Sequence, residues 1–363
     1  MKCLFVYNPI SGKGKVGKKQ KYIEKKLRER FGEVDCYATQ KAGELTEKAR
    51  EACGKYDVLI FAGGDGSFNE VVRGLGEHEN RPILGYIPSG TVNDIARSTR
   101  IPRSIGGALK TICTGSVYPL DVMKINDTYV MYVCCSGGLT DCSYKAEQKE
   151  KQIVGKLAYV NEVIRHSLVF DEYPVSFKGI DGKPIAHKHE NKDAQAVMVM
   201  IMNSRSVASM WINPDAKMDD GEAEVLIVRD SPKSNETSRH RHVRYFLSAL
   251  HMFTRGFRRM SKDPRMYAYK GKEFTVEVPE NIVWNFDGEQ GTSGNIHVQV
   301  LNKHINMILP SVAKDKKSCL AGGAETPSVA WESFAALQAQ ADAEPDSKGK
   351  GDTVQSETEQ SEV

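Results

Sequence analysis

The segment Gly63-Gly64-Asp65-Gly66-Ser67-Phe68-Asn69-Glu70 follows the apolar run 57–62 and leads into an amphipathic stretch. Its glycines allow a ligand close to the backbone, and its amides stand at the positive end of the helix that follows. Both properties suit a phosphate. Asp65 would repel a triphosphate unless a magnesium ion stood between them, which gives the carboxylate a reason to be there. A tight strand-to-helix turn with an Asp cap would use the same residues. A second loop of small and polar residues, Pro88-Ser89-Gly90-Thr91-Val92-Asn93-Asp94, follows the next apolar run. A third, Asn8-Pro9-Ile10-Ser11-Gly12-Lys13-Gly14-Lys15, follows the first run and adds lysines able to reach phosphate oxygens. Three such loops at one sheet edge would converge on a single site.

Other groups carry weaker signals. Phe286-Asp287-Gly288-Glu289 could expose a carboxylate on a glycine turn, either as a proton acceptor or as a plain hairpin tip. His187-Lys188-His189-Glu190 lacks further ligands at a recognised zinc spacing and reads as a charged loop. Cys134-Cys135 lies in an apolar strand, where neighbours face opposite ways, and reads as packing. The stretch 239–259 mixes Arg and His with Phe, Leu and Met. It suits an anionic bilayer surface, or packing by its apolar side.

The elements that must position these groups follow from the apolar pattern. Runs at 3–7, 34–38, 58–62 and 83–87 alternate with amphipathic stretches at 17–31, 43–53, 67–75 and 92–97. This βαβα order predicts a Rossmann-like, mostly parallel α/β domain over residues 1–119, with ligands at the carboxyl ends of its strands. In the first helix Ile23, Leu27 and Phe31 share one face, and the lysines around them face solvent. From residue 120 the pattern changes to strands at 120–125, 129–135, 194–202, 223–228, 274–278, 282–286 and 296–301. These predict an antiparallel β-sandwich domain over 120–312, interrupted by helical inserts at 154–168 and 236–258. Residues 313–363 are poor in large apolar side chains and are expected to be a disordered acidic tail.

Composition narrows the classes. The 363-residue chain has room for two cores. Its longest apolar run, 196–202, is far short of a membrane span. The start of the chain reads as a first strand and not as a signal peptide. Eight scattered cysteines without a CxxC pair argue for a reducing cytoplasm and against a disulfide framework. The net charge is +3, but residues 314–363 carry five Lys against ten Asp and Glu, which leaves +8 on residues 1–313. A basic body favours anionic partners such as nucleotides, acidic lipid headgroups or nucleic acid, and charge alone does not choose among them.

Taken in order and at these intervals, Asn-Pro-x-Ser-Gly, Gly-Gly-Asp-Gly-Ser-Phe-Asn-Glu and Pro-Ser-Gly-Thr-Val-Asn-Asp resemble the catalytic domain of the diacylglycerol kinase and sphingosine kinase superfamily. The likeness is greatest to the soluble bacterial diacylglycerol kinases. It continues through Leu120-Asp121-Val122, Ser136-Gly137-Gly138, 155–159, Asp219-Asp220-Gly221 and Phe286-Asp287-Gly288-Glu289, covering about residues 2–310. Ser67 stands where the family usually has Thr. The resemblance implies an ATP- and magnesium-dependent kinase that phosphorylates diacylglycerol or a related lipid at an anionic membrane surface. It implies a cytoplasmic enzyme peripherally associated with the inner face of the membrane, without a nucleic-acid partner, and it allows a homodimer. Asn8, Pro9, Ile10, Ser11, Gly12, Lys13, Thr39, Gly64, Asp65, Gly66, Ser67, Phe68, Asn69, Glu70 and Thr91 would line the ATP site. Asp65, Asp94 and Asp121 would hold catalytic magnesium, and Glu289 would be the base. A structural magnesium would be bound by the Asp220 carboxylate and, by inference, the main-chain carbonyls of Lys217 and Glu222.

Rival readings use some of the same residues. Gly12-x-Gly14-x-x-Gly17, with Asp35 further on, matches a dinucleotide-binding fingerprint, but a dehydrogenase has no need of the two later loops. A P-loop would need Ser or Thr where Lys19 stands. NAD kinases share a Gly-Gly-Asp-Gly loop but would not predict Thr91-Val92-Asn93-Asp94. A non-catalytic nucleotide or lipid sensor would have no use for Asp65, Asp94, Asp121 and Glu289 together.

Overall fold

The computed structural model describes residues 1–137, 172–182, 195–229, 266–310 and 319–320. All of them lie within one compact unit, Met1–Ser328. The expected helical inserts, the His187–Glu190 segment, the Arg/His-rich stretch and nearly all of the tail lie outside the described residues.

The first four strands are β1 (Lys2–Tyr7), β2 (Glu33–Ala38), β3 (Val58–Gly63) and β4 (Ile83–Pro88), parallel in the order β2-β1-β3-β4. Every residue of β3 and β4 is buried, as expected of central parallel strands covered on both faces. The register aligns Tyr7 with Ala62, and Gly63 with Pro88. The loops after β1, β3 and β4 therefore leave the sheet at one edge. Six helices belong to this half: α1 (Lys15–Lys18), α2 (Gln20–Phe31), α3 (Glu44–Ala52), α4 (Asp65–Leu75), α5 (Asp94–Ser98) and α6 (Ile105–Thr114). Helix α2 buries Ile23, Leu27 and Phe31, the apolar face read from its spacing. The stretch expected as one helix from residue 17 is two, broken at Lys19.

The sheet does not stop at β4. The last strand, β16 (Ile296–Leu309), joins it through Met307 beside Leu84, and β5 (Ser116–Ile125), β6 (Thr128–Val130), β13 (Glu273–Glu277) and β9 (Ser176–Gly179) extend it antiparallel. The expected division at 119/120 thus falls inside β5. The expected strand 296–301 is less than half of β16. The polar residues Asn302, Lys303 and His304 that obscured the remainder form a bulge, with Lys303 at φ 53°, after which pairing with β5 resumes.

The second sheet is antiparallel, in the order β12 (Met266–Gly271), β11 (Ala223–Arg229), β10 (Gln195–Met202), β7 (Val133–Gly137), β14 (Val283–Phe286), β15 (Glu289–Ser293), with β8 (Tyr173–Pro174) beside β10. It packs on the antiparallel half of the first sheet. Their shared core contains Met123, Val130, Phe274, Ile296 and Val298 from one sheet and Val199, Val225, Trp284 and Phe286 from the other. An α/β sheet continued into a β-sandwich is the fold class expected.

The expected strand 129–135 is two strands in different sheets. The break has a cause: the amides of Met131, Tyr132 and Val133 all donate to the buried Asp287 carboxylate (2.6, 2.9 and 2.8 Å). Among the described residues, seven cysteines are free, and no helix is long and apolar enough to cross a membrane. Cys319 and Leu320, assigned to the tail, are buried; the Cys319 carbonyl accepts from the Met218 amide at 2.8 Å. The part of the expected tail that is described therefore packs on the body through two small apolar groups.

Candidate active site

The three loops converge through contacts that leave no room for side chains. Gly12 has φ +58°, and a Cβ there would lie 2.6 Å from the Ser89 carbonyl oxygen. A Cβ on Gly90 would lie 2.5 Å from Gly64 Cα, and Ser11 and Ser89 hydroxyls meet at 3.3 Å. Asn93, in a left-handed conformation, accepts from the Gly90 amide (3.0 Å) and donates to its carbonyl (2.7 Å). Tyr86 reaches up from the sheet to the Gly63 carbonyl (3.1 Å) and to Asn93 (3.2 Å). Phe68 is buried against Phe61 and Tyr86, so the start of α4 is seated on an aromatic cluster.

A pocket of about 400 Å³ opens beside these loops, lined by Asn8, Pro9, Ile10, Thr39, Ser67 and Glu70 among others. Six of the expected ATP-site residues thus share one cavity. Thr39 is held there by its amide, which donates to the Tyr7 carbonyl (2.9 Å). Ser11, Gly12 and the Lys13 backbone form the adjoining 3₁₀ turn, Ser11–Gly14, while Gly64 caps α4 and Gly66 lies in its first turn. Thr91 is exposed on the loop after β4, its carbonyl accepting from Arg103 (2.8 Å). Asn69 is buried on α4 beside Asp287.

Asp65 and Asp94 begin α4 and α5, and burial, with a smaller contribution from the charge of Asp94, raises the pKa of Asp65. Asp65 Oδ1 accepts from the Ile95 amide at 3.1 Å. Asp94 is fully buried and also raised by burial; its Oδ1 accepts from the Ser206 hydroxyl (2.7 Å) and the Ser209 amide (2.8 Å). Its Oδ2 is buried without a hydrogen-bond partner. Two desolvated carboxylates, one with an unsatisfied oxygen, are hard oxygen donors of the kind magnesium takes, although no cluster of three or more such ligands occurs among the described residues.

Asp121 has a different setting. Its carboxylate accepts from the amides of Gly221 and Lys303 (2.6 Å each), tying the Asp219-Asp220-Gly221 loop to the bulge of β16, and burial pushes it up to about 6. Its main chain meets the segment that holds Asp94, where the Asn203 side-chain amide donates to the Asp121 carbonyl at 2.9 Å. Asp220 accepts from the Glu222 amide (3.1 Å) and pairs with the Lys270 ammonium (3.0 Å), which also meets the buried Glu224 at 2.9 Å. The Lys217 ammonium donates to the Leu320 carbonyl. With both Asp220 oxygens partnered, these residues fit a loop held by an ammonium better than the expected structural magnesium site.

Glu289 reaches the first sheet from the second. The turn between β14 and β15 has Asp287 at φ 53° and Gly288 at φ 96°, the backbone of a two-residue hairpin, and Asn285 accepts from the Gly288 amide at 2.8 Å. Asp287 anchors that turn through its three amide donors, although burial still pushes its carboxyl up to about 6. A Cβ on Gly66 would lie 3.8 Å from Glu289 Oε1, and Glu289 Oε2 is 3.1 Å from the Arg73 guanidinium. The exposed carboxylate therefore lies against α4, next to the residue that follows Asp65. Ser206, Ser209, Asp287 and Arg73 were not among the expected site residues. The polar run Asn203-Ser204-Arg205-Ser206 at the end of a buried strand was the sequence signal for Ser206; Asp287 stood in the Phe286–Glu289 motif without a role, and Arg73, which acts across 216 residues, had no signal.

Comparison with known proteins agrees with this arrangement. Residues 2–125 match the diacylglycerol kinase catalytic domain family, and residues 135–309 match the YegS C-terminal NAD kinase beta sandwich-like domain. A diacylglycerol kinase of Staphylococcus saprophyticus is 34% identical over 316 residues, 86% of this chain and 96% of the relative. One from Staphylococcus aureus strain RF122 is 35% identical, covering 84% and 91%. A candidate diacylglycerol kinase of Bacillus anthracis, solved by crystallography, superposes with a TM-score of 0.66 at 28% identity, covering 85% of this chain and 96% of that one. With the two matched domains spanning both sheets, and Glu289 brought from one to the phosphate-type loops of the other, the chain belongs to the diacylglycerol kinase family and is a lipid kinase.

Proposed function

We propose that the enzyme transfers the γ-phosphoryl group of ATP to the free hydroxyl of diacylglycerol, giving phosphatidic acid and ADP. The observation that carries this reading is the seat of Glu289 against the N-terminal turn of α4, where the backbone amides of the Gly64–Gly66 loop suit phosphate oxygens. Adenosine would occupy the pocket bounded by Asn8, Ile10 and Thr39. Asp65 and Asp94 would hold magnesium, which when bound neutralises phosphate charge. Glu289 accepts the proton of the lipid hydroxyl as its oxygen bonds to the γ-phosphorus, and the bond to the β–γ bridging oxygen breaks to release ADP. Asp94 is oriented by Ser206 and Ser209, and Asp287 keeps the hairpin carrying Glu289 in register.

An enzyme whose acceptor is dissolved in a bilayer works at the interface, so a peripheral association with anionic membrane belongs to the same proposal, as does a cytoplasmic site of action. The test is transfer of label from radiolabelled ATP, with magnesium, to diacylglycerol, a sphingoid base or NAD, the lipids presented in mixed micelles with an anionic phospholipid. Diacylglycerol should be the acceptor. Asp65→Ala and Glu289→Ala should each lower kcat by about a hundredfold or more. Equal transfer by all three proteins would sink the mechanism, and label in NAD alone would replace the lipid acceptor.

A further inference from the structure

A second recess, of about 500 Å³, lies against Glu289 on the side reached by Arg73. Its walls come from three places: Arg73 on α4, Thr128 and Tyr129 on β6, and Phe286, Gln290 and Gly291 on the hairpin that carries Glu289. The two pockets are not independent. Ser67, Glu70 and Arg73 follow one another at three-residue intervals along α4, so they share a helix face. The first two line the nucleotide-type pocket and the third lines this recess. Glu289 stands between them, near Gly66 through one oxygen and Arg73 through the other.

The walls are held from outside. Tyr129 stacks on His304, its hydroxyl meets Glu77 at 3.4 Å, and His304 contacts the Gly76 carbonyl at 2.8 Å, so β6 is fastened to the end of α4. The hairpin wall is fastened by Asp287. Gln290 and Thr292 are exposed side chains of β15, and the Arg73 side chain is one-third exposed; the recess is open on one side. An open recess with polar and apolar lining side by side, next to the proton acceptor, suits the head of a molecule whose remainder stays in a bilayer.

Resting on the diacylglycerol kinase reading above, we propose that this recess is the acceptor subsite, taking the glyceryl ester head of the lipid, with Arg73 and Gln290 as its specificity contacts. The free hydroxyl faces Glu289, while the guanidinium and the carboxamide are the donors available to ester carbonyl oxygens. Arg73 then has a second task as a positioning residue, since its ion pair sets the direction of the Glu289 carboxylate.

The experiment measures kcat and KM separately for ATP and for diacylglycerol in mixed micelles, using the full chain and the variants Gln290→Ala, Arg73→Ala and Arg73→Lys. Gln290→Ala should raise the diacylglycerol KM roughly three- to tenfold, the loss of one or two hydrogen bonds, with the ATP KM within about twofold. Arg73→Ala should raise the same KM and also lower kcat, and Arg73→Lys should restore part of kcat because the charge beside Glu289 returns. Because Gln290 is exposed, its substitution leaves the fold intact, which a thermal melt checks. An unchanged diacylglycerol KM in both Gln290→Ala and Arg73→Ala would overturn the proposal, as would a rise confined to the ATP KM. Absence of lipid phosphorylation by the wild type would instead overturn the reading on which it rests.

Discussion

The two halves of the first sheet position their functional groups by opposite means. In the parallel half, the loops at Gly12, Gly64 and Gly90 meet backbone to backbone, and what matters is the absence of side chains. In the antiparallel half and the sheet packed on it, buried carboxylates do the positioning. Asp287 gathers three amides from 155 residues away, and Asp121 gathers two from the Asp-Asp-Gly loop and the β16 bulge. A cradle for phosphate must offer amides at close range to a ligand of any orientation, so small residues serve. The proton acceptor proposed above would have to stand at one place, and its hairpin is fastened by directional bonds.

This contrast can be broken at either end. The largest effect is expected from Gly90→Ala, whose methyl group would stand 2.5 Å from the backbone at Gly64 Cα and 2.9 Å from Asn93 Oδ1. Activity should fall by about a hundredfold or more, with ATP binding measured by calorimetry lost alongside it, since a displaced loop of this kind costs both. Normal ATP affinity in a folded Gly90→Ala protein would show that the close approach is not what builds the cradle.

A smaller and different loss is expected from Asp287→Asn, which keeps the shape but turns one acceptor oxygen into an amide facing the Met131 N–H. We expect kcat to fall roughly tenfold to a hundredfold, ATP affinity to be unchanged, and stability to drop by about 1–3 kcal/mol, the penalty for an unsatisfied buried group. If ATP affinity fell with kcat, the two halves would not be separable in the way described.

The smallest effect concerns pH. Burial raises Asp287 from 3.8 to about 6, so the folded state holds this proton more tightly than the unfolded chain. Its contribution to stability is full below about 3.8 and is lost as pH rises through about 6, amounting to no more than about 3 kcal/mol. Urea midpoints measured from pH 4.5 to 7.5 should therefore decline for the wild type, and Asp287→Asn should flatten that part of the profile. Parallel profiles for the two proteins would remove Asp287 from the account.

Much of the first half was legible in the sequence because its signals are local. Apolar runs alternating with amphipathic stretches, and glycines directly after strands, carry both the order of elements and the place of the phosphate-type loops within a few residues of one another. The second half was legible as strands but not as sheets. The run 129–135 reads as one strand from its side chains, yet Met131 and Tyr132 give their amides to Asp287 and the chain passes from one sheet to the other. Likewise, the polar Asn302-Lys303-His304 reads as an end to β16, although Asp121 accepts the Lys303 amide and the strand continues to close the first sheet.

By itself, then, the sequence carried the class of fold and the family resemblance, and through that resemblance it pointed to Asp65, Asp94 and Glu289 as candidate site residues, because apolar patterns and short motifs are local. Only the tertiary structure decided that Asp65 accepts from the Ile95 amide at the start of α5, that Asp121 bonds elsewhere, that Lys270 meets Asp220, and that Arg73 meets Glu289 across 216 residues. Those pairings depend on which distant groups the fold brings together. That is settled by which strands are neighbours, and nothing local in the chain encodes it.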